Sequence, residues 1–275
     1  MRVLLTGANG FIGSSITHAA RTKGMVVRAL RRQPRGLDGE ICGDLVTDDA
    51  RRFVAGVDVV VHAASRTSGS DAELWAGNVI ATRNLVHAAA EHGIPVLYIS
   101  STGVYGHSAG WFGDPAAMTR NPSSALSRAR AAAEDIVLQA GGTVLRPHVI
   151  YGVGDKWVVP PLVELMRRAR AWIGEPDIHV AAIEVHRLAS AVAGVLGQAT
   201  PPVMHAAEPD PVAIRDLVAP VFRARGWDLP TESVSVDAAH KLIAPLGVSR
   251  NAVQMVGANS AMDSTPLWTI FNLTS

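Results

Sequence analysis

The chain has 275 residues, of which 48% are hydrophobic and 18% charged, and its formal net charge at pH 7 is +1. This composition is typical of a compact globular protein, and the near-zero charge argues against nucleic acid or an anionic membrane as a partner. A single cysteine, Cys42, excludes an internal disulfide, and the histidines show no metal-ligand spacing with a carboxylate, so we expect no metal site. Without a signal-like or membrane-spanning apolar run, we expect a cytoplasmic protein.

Strand-like and helical segments alternate through the first 150 residues. The apolar runs predicted to be strands are residues 3–5, 25–30, 57–61, 96–99 and 143–145. The segments predicted to be helices are residues 11–23, 78–91 and 129–139. Because strands separated by helices require crossover connections, this order predicts an α/β fold with a Rossmann-type, doubly wound parallel sheet.

A glycine-spaced turn, TGANGFIG from Thr6 to Gly13, joins the first strand to the first helix. Gly7 permits a tight turn, Gly10 lets the backbone approach a pyrophosphate, and Gly13 lets the helix pack close to the strand. The free N–H groups at the helix N-terminus favour a diphosphate. The pattern predicts that a dinucleotide is bound by Gly7, Asn9, Gly10, Phe11, Ile12 and Gly13.

The end of the second strand predicts which dinucleotide is bound. In NAD-binding folds an acidic residue there binds the ribose 2′-OH, but here that position is Leu30, and no Asp or Glu follows before Asp38. Arg31 and Arg32 follow instead, and guanidinium groups bind a 2′-phosphate through charge-assisted hydrogen bonds. We therefore predict NADP(H) as the cofactor, against the alternative of a solvated basic turn.

After residue 150 the regular alternation ends. Helices are predicted at residues 160–171 and 188–196, and prolines interrupt the remaining chain. We therefore divide the chain into an NADP(H)-binding Rossmann domain, residues 1–150, and a smaller substrate-binding lobe, residues 151–275. The lobe is expected to be mostly helical and interleaved with the last strands of the sheet.

Several motifs in chain order resemble those of one enzyme family. Besides the glycine turn, they are GDL at 43–45, VDVVVHAA at 57–64, Asn78 followed by TRNL at 82–85, ISSTGVYG at 99–106, RPHVIYG at 146–152 and VHRLA at 185–189. Over roughly residues 1–195 the sequence is similar to the extended short-chain dehydrogenases/reductases, the group that contains nucleotide-sugar epimerases and dehydratases. The resemblance implies an active-site serine at Ser101 and further cofactor contacts by Asp44, Leu45, Ala63, Ala64, Pro147 and Val149.

The sequence departs from the family at its Tyr-x-x-x-Lys motif. An ungapped alignment places Leu126 at the tyrosine position and Arg130 at the lysine position. The tyrosine acts as an acid or base because a neighbouring ammonium lowers its pKa, whereas leucine transfers no proton and arginine releases none at neutral pH. Arg130 is therefore predicted to hold the cofactor ribose as a fixed cation, with a helix-surface arginine as the alternative.

An intact cofactor turn without the Tyr–Lys pair favours a reductase whose proton comes from elsewhere. A ketone beside a hydroxyl, as in an aromatic polyketide, could polarise its own carbonyl, while the cofactor supplies the hydride. The chain also resembles short extended-type reductases of antibiotic pathways. We predict NADPH-dependent reduction of an aromatic, polyketide-type ketone, with Ser101 and Thr102 as catalytic residues and with substrate contacts from Trp111, Phe112, His148 and Trp157.

Two other functions fit the same residues. One is a non-hydride cyclase, isomerase or dehydratase of the same fold, and the other is a catalytically silent NADP(H)-binding regulator with a protein partner. Ser101 and the RPHVIYG segment favour an enzyme over a regulator. We expect a small-molecule substrate and a monomer or homodimer.

Overall fold

The computed structural model describes residues 1–33, 36, 38–106, 109–175, 177–244 and 250–272. Its strands are β1 (Arg2–Thr6), β2 (Val26–Arg31), β3 (Glu40–Cys42), β4 (Val59–His62), β5 (Val96–Ile99), β6 (Gly110–Phe112), β7 (Thr143–Pro147), β8 (Val149–Tyr151), β9 (Ala171–Ile173), β10 (His179–Val180), β11 (Ala182–Glu184), β12 (Val203–Ala206), β13 (Val212–Ala213), β14 (Glu232–Val234) and β15 (Ser260–Met262). The α-helices are α1 (Phe11–Thr22), α2 (Arg51–Val54), α3 (Asp71–Trp75), α4 (Ala81–Ala90), α5 (Ala125–Gln139), α6 (Val159–Ala169), α7 (Val185–Val195), α8 (Ile214–Ala224), α9 (Val236–Ile243), α10 (Arg250–Gly257) and α11 (Thr265–Asn272). A π-helical turn (Ala76–Ile80) and a 3₁₀ turn (Thr102–Tyr105) complete the helical segments of this described part.

A parallel sheet forms the centre of the molecule. Within the described residues it has seven strands in the order β12-β7-β5-β4-β1-β2-β3. The strand order reverses on either side of β1 and β4, so the carboxyl ends of these strands open a crevice of the kind in which α/β folds bind ligands. The predicted Rossmann-type sheet is confirmed.

Helices cover both faces of this sheet. On one face α1 and α7 pack against Val3 and Leu5 of β1, and on the other α4 and α5 pack against Leu4 and Val60. Because neighbouring residues of a strand point to opposite faces, a strand buried on both faces must be apolar throughout. This explains the uninterrupted apolar runs in the sequence.

Several predicted helices differ from the observed ones at their ends. The helices predicted to begin at residues 129 and 188 begin earlier, at Ala125 and Val185. The helix predicted over residues 160–171 stops at Ala169, because Arg170 adopts a left-handed backbone conformation (φ 50°) and the chain continues into β9. The helix predicted to begin at residue 78 is preceded by α3 and the π-helical turn. Ser70 and Glu73 form a capping box that starts the helical segment earlier.

The chain beyond residue 150 contributes both to the sheet and to a separate apolar core. Strand β12 and helix α7 belong to the central layers, whereas α6, α8, α9 and α10 surround a second core with small two-stranded sheets. The division of the chain at residue 150 and the interleaved substrate-binding lobe both stay predictions. None of the helices described here has the length and apolarity needed to cross a bilayer.

Candidate active site

The turn between β1 and α1 is built for close backbone approach. Gly7 has a φ of +71°, and a Cβ at this position would lie 2.6 Å from the carbonyl oxygen of Ala63. A Cβ on Gly13 would lie 2.2 Å from the carbonyl oxygen of Gly7. Gly10, exposed at the start of α1, donates its N–H to the Gly7 oxygen at 2.9 Å. The exposed N-terminus of α1 therefore fits the diphosphate of a dinucleotide.

The other predicted contacts of this turn lie around it. Asn9 is exposed, and Phe11 and Ile12 are half-buried in the first turn of α1. Ala63 and Ala64 follow β4 and are half-buried against Gly7. The structure thus brings the predicted diphosphate residues together at one point of the crevice.

A buried histidine fixes the base of this crevice. Thr6 Oγ1 accepts the Ala64 N–H at 3.1 Å and lies 2.7 Å from His62 Nδ1, while His62 Nε2 lies 2.9 Å from Thr82 Oγ1. The Thr82 hydroxyl donates to the carbonyl oxygen of Asn78, so the Thr82 oxygen accepts from His62 Nε2–H and Nδ1 accepts from Thr6. Burial lowers the pKa of His62 to about 4, so the ring is neutral at pH 7. Sequence reasoning did not identify this connection.

Two buried histidines predict a loss of stability in mild acid. Burial lowers the pKa of both His62 and His205 to about 4, whereas an unfolded histidine titrates near 6.5. The unfolded chain binds more protons between these values, so the free energy of unfolding falls as the pH drops from about 6.5 toward 4. Between pH 7 and pH 5 we expect a loss of about 2 kcal/mol for each histidine, measured by urea unfolding.

A matched pair of variants attributes this effect to burial. His205→Gln should remove about half of the difference between pH 7 and pH 5, because only His62 then contributes. His18→Gln, at an exposed position of α1, should leave the difference unchanged. Equal free energies of unfolding at both pH values would contradict the prediction.

Asn78 holds the loop after β4 in place. Its side-chain oxygen accepts the Ser65 hydroxyl at 3.0 Å and the Arg66 N–H at 3.1 Å, and its amide nitrogen donates to the carbonyl oxygens of Arg66 and Leu74. The residue lies in the π-helical turn, a geometry often found at functional sites. Asn78 therefore positions the residues that follow Ala63 and Ala64.

Arg130 of α5 reaches the same loop. Its Nη2 lies 3.3 Å from the Ser65 hydroxyl, and burial lowers the pKa of its half-buried guanidinium. Burial raises the pKa of the neighbouring Tyr98 to about 12, so this tyrosine keeps its proton. A cation at the edge of the crevice matches the expected place of the cofactor ribose, and the ribose contact itself stays a prediction.

The start of α5 lies beside Ser101. Ser101 Oγ accepts the Gly103 N–H at 3.1 Å, and a Cβ on Gly103 would lie 3.2 Å from Ser127 Oγ. Ser124 begins α5 by accepting the Ser127 N–H, which places Leu126 in the first turn. Because Ser101 Oγ already accepts a hydrogen bond, its own proton is available for donation to a bound molecule.

Thr102 and His148 are brought together, although they are 46 residues apart in the chain. Thr102 Oγ1 lies 2.6 Å from His148 Nδ1, and both side chains are buried. The Phe112 ring packs 5.2 Å from the His148 ring. Thr102, predicted as catalytic, is thus a buried partner of His148 behind Ser101.

The two aromatic residues of strand β6 have opposite environments. Trp111 is 64% exposed, whereas Phe112 is completely buried against Tyr105, His148 and His205. Strand β6 pairs with β15, so alternate side chains point outward and inward. The prediction of Phe112 as a substrate contact is therefore corrected, because its ring belongs to the core.

Trp157 lies over the cofactor turn. Its ring is 5.8 Å from the ring of Phe11, and the side chain is 60% exposed. Asp155 accepts the N–H groups of residues 157, 158 and 159, which fixes the segment that leads into α6. Trp157 and Phe11 therefore form an exposed aromatic pair at the N-terminus of α1.

The end of β2 differs from the sequence prediction. Leu30 is buried in the core and pairs with Thr6, so the residue that closes the strand is Arg31 rather than Leu30. Arg31 Nε lies 2.5 Å from Glu40 Oε1, and the two side chains are only 8% and 7% exposed. Arg32 is exposed. The two predicted phosphate-binding arginines thus have unlike surroundings.

Asp44 and Leu45 follow β3 at the same edge of the sheet. Asp44 is half-buried and accepts the Val46 N–H at 2.8 Å. Leu45 is buried, and its carbonyl oxygen accepts from the Asn84 side chain at 2.8 Å. They follow Gly43, whose N–H donates to the carbonyl oxygen of Arg31, and their contact with a cofactor stays a prediction.

Pro147 and Val149 are buried around the carboxyl end of β7. Pro147 pairs with Ala206, and Val149 pairs with Ala182. A buried ion pair lies below them: Arg146 donates from Nε and Nη2 to the two Glu134 oxygens at 2.9 and 2.6 Å. These contacts indicate a packing role for this segment.

Tyr105 is connected to the same ion pair. Its oxygen accepts from Arg146 Nη1 at 2.8 Å, so its hydroxyl donates to His205 Nε2 at 2.6 Å. Burial raises the pKa of Tyr105, which opposes a role as a base. In the part of the chain that the structure describes, no group of three His, Cys, Asp or Glu side chains is arranged for a metal ion.

Comparison with known families decides the assignment of the chain. The model of the NAD dependent epimerase/dehydratase family matches residues 3–176. This chain belongs to that family. In this chain the glycine turn lies against the loop after β4 and Ser101 lies beside the start of α5, and the placing of Leu126 and Arg130 at the Tyr and Lys positions of the family stays a prediction.

Curated relatives of this family member are named reductases. A 2-alkyl-3-oxoalkanoate reductase of Stenotrophomonas maltophilia is 33% identical over 62% of this chain and 57% of the relative. A 4-hydroxy-2-methyl-3-oxo-4-farnesyl-3,4-dihydroquinoline-1-oxide ketoreductase of Stigmatella aurantiaca is 28% identical over 90% of this chain and 80% of the relative. The chain is accordingly an NAD(P)-dependent oxidoreductase of this family, although it spans little more than half of the first of these relatives.

Solved structures share the fold. MoeE5 in complex with UDP-glucuronic acid and NAD has a TM-score of 0.76 and 22% identity, over 99% of this chain and 93% of MoeE5. The UDP-glucuronic acid 4-epimerase of Bacillus cereus, in complex with NAD, has a TM-score of 0.74 and 16% identity, over 100% of this chain and 93% of the epimerase. At this identity the likeness concerns the fold.

Proposed function

We propose that this protein uses NADPH to reduce a ketone on an aromatic, polyketide-type natural product in the cytoplasm. The observation that carries the proposal is the combination of a complete diphosphate turn with Leu126, a side chain that transfers no proton, in the first turn of α5 beside Ser101. The Stigmatella relative supports a ketone substrate, since its name places a 3-oxo group beside a 4-hydroxy group. A substrate of this kind carries its own proton donor.

The protein residues have distinct parts in this reaction. A nicotinamide held by the glycine turn would supply the hydride for the carbonyl carbon. Ser101 donates its hydroxyl proton in a hydrogen bond to the carbonyl oxygen, and Arg130, held by Ser65, binds the ribose hydroxyls. Leu126 keeps water away from the carbonyl, and the neighbouring substrate hydroxyl protonates the oxygen. That hydroxyl regains its proton from solvent when the product leaves, so one proton from solvent is consumed for each hydride transferred. The products are NADP⁺ and a carbinol.

The exposed aromatic rings suit a planar substrate. Trp111 and Trp157 are both exposed in segments that follow carboxyl ends of sheet strands, where α/β folds bind ligands. Stacking on such rings favours flat apolar molecules. His148 supports the site from behind through Thr102.

The test compares ketones that differ only in the neighbouring hydroxyl. Purified protein is mixed with NADPH and with paired aromatic ketones, one with the hydroxyl beside the carbonyl and one without it. We expect loss of absorbance at 340 nm and a product heavier by two mass units, at least about 10-fold faster for the hydroxylated ketone, because one stabilising hydrogen bond is worth about 1.4 kcal/mol or more.

Variants of the same site separate the alternatives. Ser101→Ala should lower kcat by about 10- to 100-fold with an unchanged Kd for NADPH. The double variant Leu126→Tyr/Arg130→Lys should reduce the dependence on the substrate hydroxyl, since it restores a proton donor. Tight NADPH binding without oxidation of any ketone would refute the proposal and favour a cyclase or a regulator.

A further inference from the structure

The carboxyl end of β2 lies where the adenosine ribose of a dinucleotide is expected. Thr6, the last residue of β1, pairs with Leu30, so Arg31 closes β2 one residue beyond the last paired residue of β1, at the edge of the sheet where the glycine turn begins. In this fold the side chain that closes the second strand meets the ribose 2′ position. In this chain that side chain is an arginine.

A carboxylate from the neighbouring strand β3 balances the positive charge of this arginine. Arg31 and Glu40 lie on adjacent strands, with Arg31 paired to Cys42 and Ala29 paired to Glu40. The distance from Arg31 Nε to Glu40 Oε1 is 2.5 Å, and both side chains are more than nine-tenths buried. Solvent and salt screen such a pair weakly, so the Glu40 charge acts fully on whatever Arg31 binds.

We propose that Glu40 limits the preference of this protein for NADP(H) over NAD(H) by holding Arg31. A 2′-phosphate carries about two negative charges, so a carboxylate beside the guanidinium opposes its binding. A ribose 2′-OH has no such charge and can donate a hydrogen bond to a carboxylate. Arg32, the next residue in the chain, is exposed and supplies the remaining attraction for the 2′-phosphate. The inference rests on the cofactor part of the proposed function.

Coenzyme binding without any ketone tests the inference. The Kd values of NADPH and NADH are measured by coenzyme fluorescence for the wild type, Glu40→Gln, Arg31→Gln and the double variant. For Glu40→Gln we expect the ratio of Kd(NADH) to Kd(NADPH) to rise at least about 10-fold, because a like charge is removed from the phosphate position. Arg31→Gln should lower the ratio, and adding Glu40→Gln to it should raise the ratio again, because the carboxylate that opposes the phosphate is then absent.

The controls separate specificity from folding and from catalysis. Glu164→Gln removes an exposed carboxylate from an ion pair on α6 and should leave the ratio unchanged. If Glu40→Gln fails to fold because Arg31 loses its buried partner, the double variant, which buries no charge, carries the test: its ratio must exceed that of Arg31→Gln. An unchanged ratio in Glu40→Gln, or equal weakening of both coenzymes, would overturn the inference whether or not any ketone is reduced.

Discussion

Gly7→Ala should lower the free energy of unfolding by about 3 kcal/mol or more and weaken NAD(P)H binding by about 100-fold, among the largest effects of any single substitution. Alanine is disfavoured at the observed φ of +71°, and its Cβ would lie 2.6 Å from both the Ala63 oxygen and the Ala64 nitrogen. These are backbone atoms, so β1 and the loop after β4 must separate. That movement also breaks the hydrogen bond from Ala64 to Thr6. Urea unfolding and coenzyme fluorescence measure the two effects.

Gly24→Ala is the matched control for this substitution. Gly24 has nearly the same φ, +75°, but no heavy atom lies within 4 Å of a Cβ built there. Gly24→Ala should therefore lower the free energy of unfolding through backbone strain alone, by about 1 kcal/mol, and leave coenzyme binding unchanged. If Gly7→Ala behaved like Gly24→Ala in both measurements, the close approach of the turn to Ala63 would contribute neither to stability nor to coenzyme binding.

The glycine turn could be predicted from the sequence because the residues that determine its shape are close together in the chain. Gly7, Gly10 and Gly13 lie within seven residues, and their spacing alone constrains the strand, the turn and the helix. The alternating apolar segments likewise determine a parallel sheet, since each strand buried on both faces is recognisable from its composition. Helix ends were less predictable, as the left-handed Arg170 shows.

Contacts between distant parts of the chain could not be predicted. The His62 hydrogen bond to Thr6 spans 56 residues, and the His148 hydrogen bond to Thr102 spans 46. In the sequence His62 follows an apolar run, and His148 was predicted as a substrate contact. Only the pairing of the strands reveals that each has a threonine partner.

Side-chain direction was the other missing information at the site. Phe112 points inward because β6 pairs with β15, a strand that begins 148 residues later at Ser260. Arg31 was predicted as a free phosphate ligand, and its buried partner Glu40 comes from a three-residue edge strand with no strong sequence signal. The proposed effect of Glu40 on coenzyme preference thus rests on a pair that the residue types at the end of β2 do not disclose.

Arg146→Met should lower the free energy of unfolding by about 3–5 kcal/mol, because it leaves the completely buried Glu134 without its two-pronged partner. Among the residues that the structure describes, Glu134 would retain the contact with Arg120 Nη1 at 3.2 Å. The Tyr105 oxygen also loses the donor that orients its proton toward His205. Urea unfolding at pH 7 measures the loss.

The double variant Arg146→Met/Glu134→Leu should recover most of this stability, because it replaces both charges by apolar groups and leaves no buried carboxylate unpaired. Arg51→Met provides the surface comparison: its ion pair with Asp49 is exposed, so its stability should remain close to that of the wild type. A single variant as stable as Arg51→Met would mean that water reaches Glu134 in solution. A double variant no more stable than Arg146→Met would instead assign the cost to lost packing around Tyr105.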